Sequence, residues 1–156
     1  MMSPGDFVKN PPSTAFFHDD TTLTQLTNTS YEAGSPEVGV YFVAPPSGTV
    51  RITVGGGVRD NGTSTRDRVF LSPAVYLVTP TGLSEILAPS VTFRGYGGSD
   101  DVTEFQYGCR VSLLSGLAPG ALYYARVMHT TAEVSSPDTD DTADIAARDL
   151  IVIPMP

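Results

Sequence analysis

The side chains that could do chemistry are few in this sequence, and their spacing keeps them apart. His18, His129 and Cys109 are the borderline and soft metal ligands, but no two lie close enough in sequence to form a zinc-ligand pair. Asp100 and Asp101, and then Asp138, Asp140, Asp141 and Asp144, could offer oxygen atoms to calcium. They lack the glycine-bearing twelve-residue loop of an EF-hand, so both groups read as solvated loops. A glycosidase needs two facing carboxylates, and only Glu104 falls on a clear strand. The stretch GGGVRDNG (55 to 62) has neither the lysine nor the following helix of a phosphate loop, and no Gly-x-Ser-x-Gly elbow occurs. The expectation is a protein without catalytic residues, bound metal or cofactor. Cys109, inside an apolar alternating run, is expected to be a small buried hydrophobe. His129 is expected to face solvent or bond a neighbour from a strand. Tyr96 and Tyr107, with the loop around Arg94, could together offer rings to a sugar face.

The elements that carry these residues are strands. Threonine, valine, glycine and proline are abundant, while the chain of 156 residues holds one lysine and five glutamates. Alternation at period two recurs in TLTQL (22 to 26), TVRITV (49 to 54), RVFLSPAVYLV (68 to 78), EFQYGCRVSLL (104 to 114), LYYARVMHTT (122 to 131) and IAARDLIVIP (145 to 154), and VGVYFV (38 to 43) reads as a nearly continuous apolar strand. LSEIL and SVTFRGY read as further short strands. APPSG (44 to 48) predicts a hairpin-like turn, residues 55 to 67 a long polar loop with a tight Asn61-Gly62 turn, and Pro73 an edge or bulge. In the run from Phe105 to Leu113, the residues Phe105, Tyr107, Cys109, Val111 and Leu113 share one face.

Residues 1 to 21, with Pro4, Pro11 and Pro12, predict an extended N-terminal arm, and residues 22 to 156 a β-sandwich domain. Phe16 and Phe17 either lie back on their own domain or dock, with His18, on a neighbouring subunit or particle. The net charge of −8 argues against a nucleic-acid partner. MMSPGDFVKN has no signal-peptide pattern, and no apolar run is long enough to span a bilayer, so no membrane is expected.

Two local patterns resemble known families. Leu117-Ala-Pro119-Gly120-Ala-Leu-Tyr123 resembles the segment before the sixth strand of fibronectin type III and immunoglobulin-like sandwiches. There a leucine, a Pro-Gly turn and a tyrosine form a tyrosine corner, which implies that the Tyr123 ring packs inward while its hydroxyl bonds nearby backbone. VYFVAPPSGTVRITV (40 to 54) is similar to the opening of trimeric jelly rolls of the tumour-necrosis-factor and collagen-head type. Taken together, the proline-rich arm, FVAPPSG, GLAPGALYYARVMH and ARDLIVIPMP resemble small structural proteins of tailed actinobacterial phages, of the decoration or minor-tail type.

These resemblances imply an all-β antiparallel sandwich, of jelly-roll or immunoglobulin/fibronectin-like topology. They imply a non-enzymatic virion protein that stabilises the particle or mediates its surface contacts. Its partners would be further copies of itself, with a trimer favoured, and a major capsid or tail protein. The alternative is a binding module for host-surface carbohydrate or protein, with residues 55 to 67, 95 to 101 and 132 to 143 as the recognition loops.

Overall fold

The computed structural model describes residues 12–61, 68–98, 103–132 and 142–156. The Asn61-Gly62 turn, Asp100, Asp101, Asp138, Asp140, Asp141 and residues 1–11 of the expected arm thus lie wholly or partly outside the described residues. In chain order the elements are β1 (Ala15–Asp19), β2 (Leu23–Leu26), β3 (Glu32–Ala33), β4 (Gly39–Val43), β5 (Val50–Asp60), β6 (Arg68–Thr79) and β7 (Gly82–Leu87). A four-residue helix, α1 (Val91–Arg94), then precedes β8 (Tyr96–Gly97), β9 (Gln106–Leu114), β10 (Leu122–Ala132) and β11 (Ala143–Pro154).

Among the described residues these strands form two antiparallel sheets packed as a sandwich. The first runs β1–β11–β5–β9, with β2 also on β11; the second runs β4–β10–β6–β7, with β3 also on β10 and β8 on β6. Consecutive strands alternate between sheets from β4 onward through β5 and β6, and again through β9, β10 and β11. That order is the double Greek key of a jelly roll, not the fibronectin order that the 117–123 segment suggested.

The alternation explains the core. Val50, Ile52 and Val54 of β5, and Leu150 and Val152 of β11, point inward from the first sheet. Val40 and Phe42, Val69 and Leu71, and Tyr123, Ala125 and Val127 point inward from the second. The Phe42 and Tyr123 rings stack at 5.6 Å between centroids. Burial of these β-branched and aromatic side chains is the main driving force for the fold.

Three local expectations change. β4 and β5 are not a hairpin: β4 pairs with β10 and β5 with β11 and β9, so residues 44–49 cross from one sheet to the other. Both strands carry apolar residues that must face one core from opposite sides, which hairpin pairing within one sheet would not achieve. The expected polar loop at 55 is strand as far as Asp60, because its glycines let side chains of the next strand fold over the backbone. A Cβ at Gly57 would lie 2.6 Å from Tyr107 Cε1, and one at Gly55 would lie 2.8 Å from Cys109 Cβ. Residues 91–94 are helical instead of extended.

Pro73 lies on an inner strand, opposite Val127 of β10. The Val127 N–H donates to the Val38 carbonyl, away from β6. Val127 and Pro73 are therefore a non-hydrogen-bonded pair, and the donor that proline lacks would point between β8, which ends its pairing at Leu71, and β7, which begins at Val75. The ladder loses no bond there, and the register slips next to it, between Val75 and Tyr76.

Candidate functional site: the outer face of the first sheet

Directly opposite residues of antiparallel strands project to the same side, so the register defines the outer face row by row. One row is Phe16 (β1), Ile151 (β11), Thr53 (β5) and Val111 (β9); beside it lies Ile153, Arg51 and Leu113; on its other side lies His18, Asp149, Gly55 and Cys109. Tyr107 and Phe105 continue the β9 edge, with the Tyr107 ring against Gly57 and the Arg59 guanidinium 4.5 Å from the Phe105 ring centre. The face is apolar and bare: Phe16 is 72%, Tyr107 66%, Leu113 67% and Val111 52% exposed.

This overturns the expected burial of Cys109, which is exposed. Alternation shows which residues of β9 share a face but not which side is inward. Val50, Ile52 and Val54 of the neighbouring strand fix the inward side, and by register Leu114, Ser112 and Arg110 share it. The apolar parity of β9 is therefore its outer one. The same rule divides the arm residues: Phe16 and His18 point outward, whereas Phe17, opposite Leu150, is on the inner side of an edge strand.

His18 is held by two carboxylates, Nδ1 to Asp149 at 2.6 Å and Nε2 to Asp20 at 2.7 Å. The bond to Asp149, then that to Asp20, raises its pKa above the usual histidine value.

The second sheet differs. Its outer residues Ala74, Tyr76 and Met128 are buried beneath Tyr31 and Ala33 of the chain's own 27–33 segment. The Tyr31 hydroxyl accepts the Val91 N–H at 2.8 Å, and Ser72 Oγ accepts the Ser90 N–H at 2.8 Å, fastening the 90–94 segment alongside. Among the described residues, part of the second sheet is thus covered by the chain's own segments, and the central rows of the first are not.

Tyr96 and Tyr107 do not form one platform. Tyr107 lies over Gly57 on the outer side of β9, while Tyr96 packs against Gly108 on the inner side and donates its hydroxyl to the Gln106 carbonyl at 2.9 Å.

At one end of the sandwich the segments 44–49 and 115–121 are laced together. Leu117 N–H donates to the Gly48 carbonyl, Gly120 N–H to Ala44, and Ala44 N–H to Ala121, each at 3.0 Å. Leu117 and Tyr123 are buried, and the Tyr123 hydroxyl accepts the Ala118 N–H at 2.9 Å. Tyr123→Phe should remove about 1–2 kcal/mol by stranding that amide. Chemical denaturation would show it as a lower midpoint with an unchanged slope.

Two charge clusters that the sequence reading missed hold the opposite end and the β1 edge. Asp144, fully buried, accepts from the Gln25 N–H at 2.9 Å, Arg59 Nε and Nη2 at 2.9 and 2.6 Å, and Asn61 Nδ2 at 2.9 Å. Its oxygens are committed to protein donors, which removes it from the calcium candidates. Arg148 is 1% exposed, and its Nη2 donates to Asp19 Oδ2 at 2.5 Å and to the Pro36 carbonyl at 2.9 Å. His129 is also buried instead of facing solvent; burial first, and the nearby Arg148 charge second, lower its pKa to about 4. Among the described residues no group of three or more His, Cys, Asp and Glu side chains is placed to hold a metal ion.

No protein-family profile matches the sequence, and no characterised protein matches it in sequence. Solved structures share its fold. A chain of the infectious bursal disease virus T13 particle superposes over 93% of this chain with a TM-score of 0.53 at 11% identity. The VP2 subviral particle of the same virus gives 0.51 at 12% identity over 93%. This chain spans about a third of those chains, 31% and 33%. The receptor-binding domain of spike protein P1 from bacteriophage PM2 overlaps more loosely, with a TM-score of 0.38 and 15% identity over 83% of this chain and 94% of that one, too loose to bear on function.

Proposed function

We propose that this chain is a non-enzymatic structural protein of a virus particle. It is displayed on the capsid as a decoration or on the tail of a phage, and there it stabilises the particle or mediates its surface contacts. It works as a homo-oligomer, of which the trimer implied by the jelly-roll resemblance is one form, docked on a major capsid or tail protein.

The observation that carries this reading is the bare apolar face of the first sheet. A face of this size is uncommon on a protein that works alone and marks a contact surface. The jelly-roll order agrees with it, since the solved chains of similar fold come from virus particles. Particles made without this chain should rebind the purified protein and regain resistance to heat. Absence of binding at micromolar concentration would overturn the reading.

The arm is proposed to take part in attachment. Because Ala15–Asp19 is a strand of the sheet, the informative deletion is residues 1–11, which spares it. The shortened protein should keep the wild-type melting temperature and lose particle binding, measured by co-sedimentation; wild-type binding would remove the arm from the account.

A second reading, recognition of host-surface carbohydrate or protein, is favoured by the topology. The end of β5 at Asp60, the start of β6 at Arg68, the end of β10 at Ala132 and the start of β11 at Ala143 converge at one end of the sandwich. Substitutions in the segments between them should leave attachment intact and reduce adsorption to host cells. The first reading expects no change in adsorption.

A further inference from the structure

We infer that two copies of this chain pack face to face through the outer side of β1, β11, β5 and β9, about a two-fold axis that crosses the strands along the Phe16–Ile151–Thr53–Val111 row. The inference rests on the proposed homo-oligomer and names its surface.

Size is the first reason. With about 4.8 Å between strands and about 3.3 Å per residue, these four strands present roughly 600 Å² in plan. Side-chain relief brings that close to the ~800 Å² per partner of a standard stable interface. Two such sheets can lie about 10 Å apart, as the layers of a sandwich do.

Charge is the second reason. The chain carries a net −8, so copies repel except where acids are scarce. In the three central rows of this face the only carboxylate is Asp149, and it is already bonded to His18. The stated axis lays the central row on its own mate, with Phe16 and Val111 each meeting their symmetry copies. It exchanges the Arg51 row with the Asp149 row. Arg51 of one copy then arrives over Gly55 of the other, which has no side chain of its own and is flanked by Cys109, beside the opposite charge of Asp149. A self-complementary patch of this kind is what an isologous contact requires.

The contrast with the second sheet is the third reason. There the chain covers Ala74, Tyr76 and Met128 with segment 27–33, leaving Tyr41, Leu83 and Ile86 exposed, whereas the central rows of the first sheet have no such cover among the described residues.

The test is the solution mass of the full chain by light scattering at micromolar to tens-of-micromolar concentration. The expected result is twice the chain mass of 16.5 kDa, or an even multiple of it. Val111→Glu sets two carboxylates against each other across the axis and should halve the mass, with circular dichroism unchanged. Leu83→Glu, on the exposed β7 of the other sheet, should leave the mass as it is. Should Val111→Glu fold poorly, Arg51→Glu replaces an exposed side chain and should weaken association by about tenfold or more. Cys109 reports on the same face: its reaction with a maleimide should slow as concentration rises in the wild type and stay fast in the Arg51 variant. A monomer or a bare trimer in solution, or equal sensitivity to Leu83→Glu, overturns the two-fold contact. Particle binding by that same monomer or trimer would leave the proposed function standing.

Discussion

Asp19→Ala should be the most damaging single substitution outside the apolar core, costing about 3–5 kcal/mol, because it leaves the buried Arg148 guanidinium without its carboxylate. Arg148 is enclosed by Asp19 on one side, by the Pro36 carbonyl, and by Gly34, where a Cβ would fall 1.9 Å from Nη1. Its Nε and Nη1 already have no hydrogen-bond partner among the described residues, so little remains to compensate a lost charge. The loss should appear as a fall of about 2–4 °C in melting temperature per kcal/mol. Replacing Arg148 by methionine in the Asp19→Ala background should recover most of it, since the penalty belongs to the stranded charge. If the double variant melts as low as Asp19→Ala, the damage comes from lost β1 pairing and the electrostatic account fails.

Acid should destabilise the protein through His129 in a window set by that residue. Its folded pKa is about 4 against an ordinary value of 6.5, so between these values the unfolded chain binds the proton and the folded one does not. Stability from this group is complete above pH 6.5 and declines as pH falls toward 4, by roughly 3 kcal/mol over the window. The facing charged group is Arg148, which a protonated His129 would repel. Asp19 acts lower: burial is the largest single influence and raises its pKa, but the hydrogen bonds from Arg148 and Thr21 together with the Arg148 charge outweigh it, and the net shift is downward. Its contribution is therefore kept above the ordinary carboxylate value and lost as pH falls through the depressed one. His18 has the opposite sign, since its raised pKa favours the fold at low pH and loses that support as pH rises. It is on the surface and weak beside the buried pair. Melting temperature against pH for the wild type and His129→Gln should separate them. The variant should lose the decline between pH 6.5 and 4; two parallel curves would show that His129 is not responsible.

Much of this was legible in the residues. The period-two runs located the long strands, and Tyr123 with its Pro119-Gly120 turn marked the laced end of the sandwich. Pairing was not legible. The turn at Pro45 to Gly48 is as short as a hairpin turn, yet it joins different sheets, because which strand lies beside which depends on contacts far along the chain. The side to which β9 turns its apolar parity also depends on β5 and not on β9 itself. Alternation alone therefore gives Cys109 the right face of the strand and the wrong side of the sheet.

The buried charges illustrate the same limit. Arg148 shares its parity with Leu150 and Val152, which was a signal that it points inward. Its partner Asp19 lies 129 residues away, in a stretch read as arm, and only the β1–β11 register brings the two together.

If this jelly roll is a building block of a particle, purified particles must carry it in a defined copy number. Quantitative mass spectrometry of gradient-purified virions should find the chain at a fixed ratio to the major capsid protein, with many copies for a capsid decoration and a handful for a tail component. Its absence from intact particles, with the protein left free in the infected-cell lysate, would rule out a structural role.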